Sequence, residues 1–248
     1  MKRIQNELRD LENNKNLLNE SGIYFHYDEE NIRNLYVMII GSKDTPYEDG
    51  YFLFSFYYPD NYPMVPPIAK YWTQGLLYDL KMKTNRNIRF NPNLYTCGKV
   101  CLSMLNTWTG PGWVPCNTIT NVFIAIEALV LTENPLEYEP GLERDEADTE
   151  NQKNEKEIKY GLYNQFLRYS TYKVGIKEML INIPEGFEVF EMVMRKRYME
   201  NRGKIIDNLR KWKNEVGEMG ECPIYKLTTR YEYDSLIEDF ENLEFQIE

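Results

Sequence analysis

Apolar residues return at three- and four-residue steps through the first segment, at Ile4, Leu8, Leu11 and Leu18, with Lys15 in the remaining place and Lys2, Arg3, Glu7 and Arg9 between them. That spacing predicts an amphipathic helix over Lys2 to Leu18. From Ile23 the texture changes to aromatic and β-branched runs, GIYFHY, NLYVMIIG, GYFLFSFYY and PPIAKYWT, separated by the polar, turn-forming stretches DEEN, SKDTPYEDG and PDNYPMV. Four consecutive antiparallel strands joined by turns are expected. Alternation is weak in Tyr51 to Tyr58, where nearly every side chain is apolar, as suits a strand covered by a helix on one face and by aromatic residues on the other. Thr73 to Pro115 shows little periodicity and reads as a long, largely irregular excursion. Helical spacing resumes over Thr118 to Glu133, where Ile119, Val122, Phe123, Ile126, Leu129 and Val130 form a broad stripe and Asn117 or Thr118 offers a cap. Glu133 to Glu157 carries ten acidic residues against three basic ones and reads as a solvated loop. Ile158 to Leu180, Phe187 to Trp212 and Tyr233 to Ile247 are again helical in pattern. The fold class is therefore α+β, with a helix, a four-stranded antiparallel meander, a long loop, a central helix and C-terminal helices.

Composition narrows the functions. A chain of 248 residues with 42% hydrophobic content suits one large domain, or one domain and an appendage. A net charge of -10 lacks the basic field of a general nucleic-acid binder. The opening MKRIQNELRD has no apolar signal region, and Val122 to Leu131 is short and interrupted by Glu127, so no membrane partner is expected. A reducing compartment, cytoplasm or nucleus, follows as the expected location. There the four cysteines would be free thiols rather than a disulfide framework.

The segment Asn91 to Trp113, NPNLYTCGKVCLSMLNTWTGPGW, holds the candidate chemistry. Cys101 stands eight residues after Asn93. A thiolate is the strongest nucleophile among ordinary side chains, and an asparagine amide can donate to an oxyanion forming at a carbonyl. A cysteine hydrolase would also need a base, and the single histidine, His26, lies in the first predicted strand. Cys97, Cys101 and Cys116 lack the paired spacing and the nearby fourth ligand of a zinc site, so no metal is expected.

The order of elements and five motifs resemble the ubiquitin-conjugating enzyme (UBC) family. DTPYEDGYF at residues 44–52 resembles its TPYxGGxF turn, and YPMVPP at residues 62–67 its YPxxPP loop. NPN at residues 91–93 is similar to the family's HPN, GKVCLS at residues 98–103 to its GxxCL, and WVPC at residues 113–116 to its WSPA loop. Asparagine at position 91 departs from the general histidine. It matches instead a branch of larger conjugating enzymes with C-terminal helical extensions, including a very large hybrid of conjugating enzyme and ligase.

The resemblance implies a UBC core over residues 1–182 and a C-terminal helical extension over residues 183–248. It implies that Cys101 accepts ubiquitin, or a ubiquitin-like protein, as a thioester from an activating enzyme and passes it to a substrate lysine or a ligase. Asn93 would assist the oxyanion or hold the loop, and Asn91 and Pro92 would shape that loop. In NPLEYEPG, Glu137, with Glu139 behind it, would stand for the acid that deprotonates the lysine. Lys2, Arg3 and Arg9 would face the activating enzyme and ligases, as would Pro63, Met64, Pro115 and Cys116 on two neighbouring loops. No cofactor is implied, ATP and Mg2+ serving the activating enzyme. A non-catalytic UBC-like scaffold that binds ubiquitin or ligases is the alternative.

Overall fold

The computed structural model describes residues 1–245. The N-terminal helix bends where the pattern runs straight: α1 spans Lys2–Asn13 and α2 spans Lys15–Glu20, with Asn14 between them outside helical geometry. Ile4, Leu8, Leu11 and Leu18 are all buried. Four antiparallel strands follow, β1 (Ile23–Tyr27), β2 (Asn34–Ile40), β3 (Tyr51–Tyr57) and β4 (Ile68–Tyr71), in the order β1-β2-β3-β4. Pairing of Val37 with Phe54 and of Ile39 with Phe52 sets the register that turns one face inward. There Phe56 packs 5.3 Å from Phe123 of α3, which spans Ile119–Ala125 and widens into π-helical turns over Ile126–Val130.

The opposite face of the sheet is covered too, which is why β3 shows no alternation. Met38 and Leu53, on that face, are fully buried. Phe187 packs edge-on against Tyr36 at 5.3 Å and lies 6.0 Å from Trp72, and the Tyr51 hydroxyl donates to the Met194 carbonyl at 2.8 Å. The chain crosses Tyr36 at Gly186, where φ is +88° and a β-carbon would lie 2.6 Å from the ring. Only glycine meets both conditions without strain.

Three expectations change. The excursion after β4 contains a hairpin, β5 (Leu76–Asp79) with β6 (Thr84–Asn87), and the extension contains another, β7 (Met219–Cys222) with β8 (Leu227–Arg230). The acidic stretch is shorter than it reads, because helix α4 (Glu150–Ser170) begins at a capping box formed by Thr149 and Gln152. It continues as π-helical turns over Thr171–Glu178 and a last α-turn, α5, over Met179–Ile181. A 3-10 turn over Glu188–Phe190 then leads into α6 (Glu191–Val216), and α7 spans Tyr233–Asn242. Of the expected last helix, Gln246 and Ile247 lie outside the described residues. No described helix is long and apolar enough to cross a membrane.

Some cations of α6 pair within the helix, Arg195 with Glu191 and Lys211 with Glu215, and others with acids far away in sequence. Lys204 binds Glu48 and Asp49 at 2.5 and 2.8 Å, Lys213 binds Asp234 at 2.6 Å, and Arg210 binds Glu241 at 2.6 Å.

The two hairpins are joined through Asp79 and Arg86. Asp79 is fully buried and accepts from the backbone of Lys81 and Met82 and from Arg86, the last at 2.7 Å. Arg86 also donates to the carbonyls of Tyr225 and Lys226 in the β7–β8 turn, and the Leu80 amide donates to Thr228 at 2.7 Å. The hydrogen bond from Arg86 holds the Asp79 carboxyl below its ordinary value, against the opposing effect of burial. A lowered folded value means stability that is fully present above the ordinary carboxylate range, near 3.9, and is lost as pH falls through the lowered value. Asp79→Asn is therefore expected to unfold at lower urea than the wild type at pH 7, with the gap narrowing toward pH 3. An equal gap at both pH values would refute this account.

Candidate active site

The loop carrying Cys101 crosses the free edge of β4. The Tyr71 amide donates to the Gly98 carbonyl at 2.7 Å, and Lys70 bridges to Lys99. Gly98 has φ +89°, and a β-carbon there would come within 2.9 Å of the Tyr71 carbonyl, so this close approach requires glycine. His26 is exposed on β1 at the opposite edge, three strand spacings or roughly 14 Å across the sheet. A base at that distance cannot serve Cys101, and the hydrolase reading loses its proton acceptor.

Cys101 and Asn93 are tied reciprocally. The Cys101 amide donates to the Asn93 carbonyl at 2.8 Å, and the Asn93 side-chain amide donates to the Cys101 carbonyl at 2.7 Å. That bond uses one of the two N–H groups of the Asn93 amide and leaves the second for another acceptor. Thr107 braces the residues on either side: its hydroxyl donates to the Val100 carbonyl at 2.7 Å and accepts from the Leu102 amide at 2.9 Å. The sequence carries no pattern that singles out Thr107. Cys101 itself is 1% exposed.

Asn91 organises the turn beneath. It is buried, its Oδ1 accepts from the Asn93 amide at 2.7 Å, and its Nδ2 donates to the Val130 carbonyl at 2.6 Å and to the Tyr47 hydroxyl at 3.1 Å. Val130 closes the π-helical turns after α3, where carbonyls lack partners within the helix and are open to a side-chain donor. Burial holds the Tyr47 phenol far above its ordinary value, so the neutral hydroxyl is kept to donate to Phe90 at 2.7 Å. Pro92 is buried beside it, and its carbonyl accepts from Arg89 at 2.5 Å. An asparagine at position 91 thus satisfies one donor and two acceptors at once.

The other expected residues separate into two groups. Lys2, Arg9, Met64, Pro115 and Cys116 are exposed, and Pro63 is half-buried. Arg3 is half-buried: it donates to Glu7 at 2.6 Å and to the Asn117 carbonyl at 2.7 Å. Glu7 is buried and also accepts from the Tyr62 hydroxyl at 2.5 Å and from the Ile119 amide at 2.9 Å. It joins α1, the YPMVPP loop and the start of α3, and Trp113 completes the junction by donating its indole N–H to the Pro63 carbonyl at 2.7 Å. Glu137 lies 3.6 Å from Arg144, toward the acidic loop. Glu139 is half-buried and has no ion-pair partner among the described residues. Burial raises its carboxyl, and the charge of Arg89 opposes the rise. Cys97 is exposed and Cys222 buried, and the described residues hold no group of three side chains suited to a metal ion.

The model of the ubiquitin-conjugating enzyme family matches residues 3–163. Ubiquitin-conjugating enzyme E2 Z of Xenopus tropicalis is 40% identical over 181 residues, 72% of this chain and 51% of that protein. A probable ubiquitin-conjugating enzyme of Acanthamoeba polyphaga mimivirus is 35% identical over 243 residues, 96% of this chain and 15% of its own length. The human dual E2 ubiquitin-conjugating enzyme/E3 ubiquitin-protein ligase BIRC6 is 32% identical over 215 residues, 85% of this chain and 4% of that protein. The chain spans about half the length, or less, of these relatives. With the four-stranded meander, the loop pinned to its edge and the NPN turn under Cys101, the chain belongs to the ubiquitin-conjugating enzyme family.

Proposed function

We propose that this protein carries ubiquitin, or a ubiquitin-like protein, as a thioester on Cys101 and delivers it to a substrate lysine or to a ligase. The observation that carries the reading is the reciprocal pairing of Cys101 with Asn93 on a braced loop, with no histidine base in reach. The Cys101 thiolate attacks the modifier's C-terminal carbonyl on the activating enzyme, the activating enzyme's thiolate leaves, and a new thioester forms. A lysine amine then attacks that carbonyl, gives up a proton, and expels the Cys101 thiolate. Both steps pass through an oxyanion, for which the second N–H of the Asn93 amide is the available donor. Glu139 suits the approaching amine better than Glu137, because Glu137 is engaged by Arg144 and because the raised carboxyl of Glu139 is a closer match for a lysine proton. Lys2 and Arg9, with Met64, Pro115 and Cys116, form the exposed surface offered to the activating enzyme and ligases. A free thiol of this kind works in a reducing compartment, cytoplasm or nucleus.

The test is a charging reaction. Incubation with activating enzyme, ATP, Mg2+ and a panel of ubiquitin and ubiquitin-like proteins should give an adduct that disappears on thiol reduction. Absence of a reductant-sensitive adduct with every modifier would sink the conjugating reading.

A further inference from the structure

Arg89 stands between the loop under Cys101 and the C-terminal hairpin. Its guanidinium carbon lies 4.0 Å from the ring centre of Tyr95, in the loop, and 4.9 Å from that of Tyr225, in the β7–β8 turn. One of its terminal nitrogens donates to the Pro92 carbonyl at 2.5 Å, one residue before Asn93. Its Nε is buried with no hydrogen-bond partner among the described residues, so the aromatic rings are what compensate that edge of the cation. The backbone is fixed as well, because the Tyr163 hydroxyl of α4 donates to the Arg89 carbonyl at 3.0 Å. Tyr225 is held in turn by Arg86, which donates to its carbonyl at 3.1 Å.

We propose that Arg89 is a positioning residue for Cys101, and that Tyr225 of the C-terminal hairpin completes its clamp, so that the extension is a working part of the active centre. The inference rests on the conjugating reading above for its consequence in transfer. Its physical logic is separate: contact with two rings, 4.0 and 4.9 Å from the guanidinium carbon, together with a directed hydrogen bond to Pro92, suits a guanidinium. An ammonium cannot present the same flat face, so lysine is not a conservative replacement. Loss of these contacts frees Pro92 and then Asn93, whose two bonds hold the backbone of Cys101.

The closing experiment uses the full chain and reads each thiol separately. Native protein is treated with iodoacetamide and the modified cysteines are followed by mass spectrometry, exposed Cys97 and Cys116 serving as references. Arg89→Lys and Tyr225→Leu should speed alkylation of the buried Cys101 about tenfold relative to Cys97, as a local opening becomes easier. Tyr225→Phe, which keeps the ring, should behave as wild type. Charged Arg89→Lys protein should also discharge to free lysine about tenfold more slowly, with the charging step less affected, since misplacement bears on attack geometry. Cys222, buried in β7, reports on the hairpin itself. Wild-type alkylation and discharge in Arg89→Lys would overturn the proposal. So would simultaneous exposure of Cys222 in that variant, which would make Arg89 a fastener of the hairpin and not of the loop. A protein that never charges would defeat the conjugating reading alone, because the alkylation measurement needs no modifier.

Discussion

Cys101→Ser is expected to replace the reductant-sensitive adduct by one that survives thiol reduction, and to slow transfer to lysine by about 100-fold or more, a rise of about 2.7 kcal/mol in the barrier. The substitution exchanges a thiol for the weaker nucleophile and poorer leaving group of a hydroxyl and leaves an oxyester, whose carbonyl is less open to attack. The fold should hold. Cys101 is anchored through its backbone, by Asn93 on one side and by Thr107 through Val100 and Leu102 on the other, and none of these bonds involves sulfur. Cys97→Ala should leave charging intact, because Cys97 is exposed on the outer part of the loop. Gels run with and without reductant check both variants. A reducible adduct persisting in Cys101→Ser and vanishing in Cys97→Ala would move the acceptor to Cys97.

Glu7→Ala should cost about 3 kcal/mol of stability, lowering the melting temperature by roughly 10 °C for a chain of this size. One buried carboxylate is shared by Arg3, the Tyr62 hydroxyl and the Ile119 amide at the first turn of α3. A negative charge suits a helix N-terminus, and removing it leaves the amide and the phenol without an acceptor. Burial, and next the bond to Glu7, raise the Tyr62 phenol far above its ordinary value, so Tyr62 stays a donor and cannot substitute for the lost charge. The damage should reach the proposed partner surface, since Pro63 and Met64 follow Tyr62 directly and Trp113 hangs from the Pro63 carbonyl. Thermal unfolding followed by circular dichroism decides the matter, and a loss below about 1 kcal/mol would show that the junction is held by its apolar contacts instead.

The parts of the molecule that short sequence spacing can encode were legible. Asn91, Asn93 and Cys101 lie within eleven residues of one another, and their bonds are of the asparagine-turn kind that the residues announce. The meander follows from its aromatic and β-branched runs and the central helix from its periodicity, and Thr118, one of the two residues offered as a cap, caps the helix. The β5–β6 hairpin was hidden because Thr84–Asn87 is wholly polar; what orders it is Arg86, bound to carbonyls about 140 residues away. The same distance hid the partners of the α6 cations, since Lys204 meets Glu48 and Asp49 across more than 150 residues. The bond from Arg3 to the Asn117 carbonyl, across more than 110 residues, was hidden in the same way. The early start of α4 could have been read, because Thr149 and Gln152 have capping-box spacing, but the surrounding acids obscured it.

The attachment of the Cys101 loop to β4 has a consequence outside the proposed transfer. A strand at the edge of a sheet is an open template for another chain; β4 is blunted by its length of four residues and by Lys70, but Ile68 is 61% exposed. The amide of Tyr71 and the backbone of Lys70 are covered by Gly98 and Lys99 of the loop. In the proposed reaction Cys101, at 1% exposure, has to come into the open. Each opening that lifts the loop by these bonds therefore also bares a sticky edge, so the firmness with which the thiol is held also guards the protein against self-association.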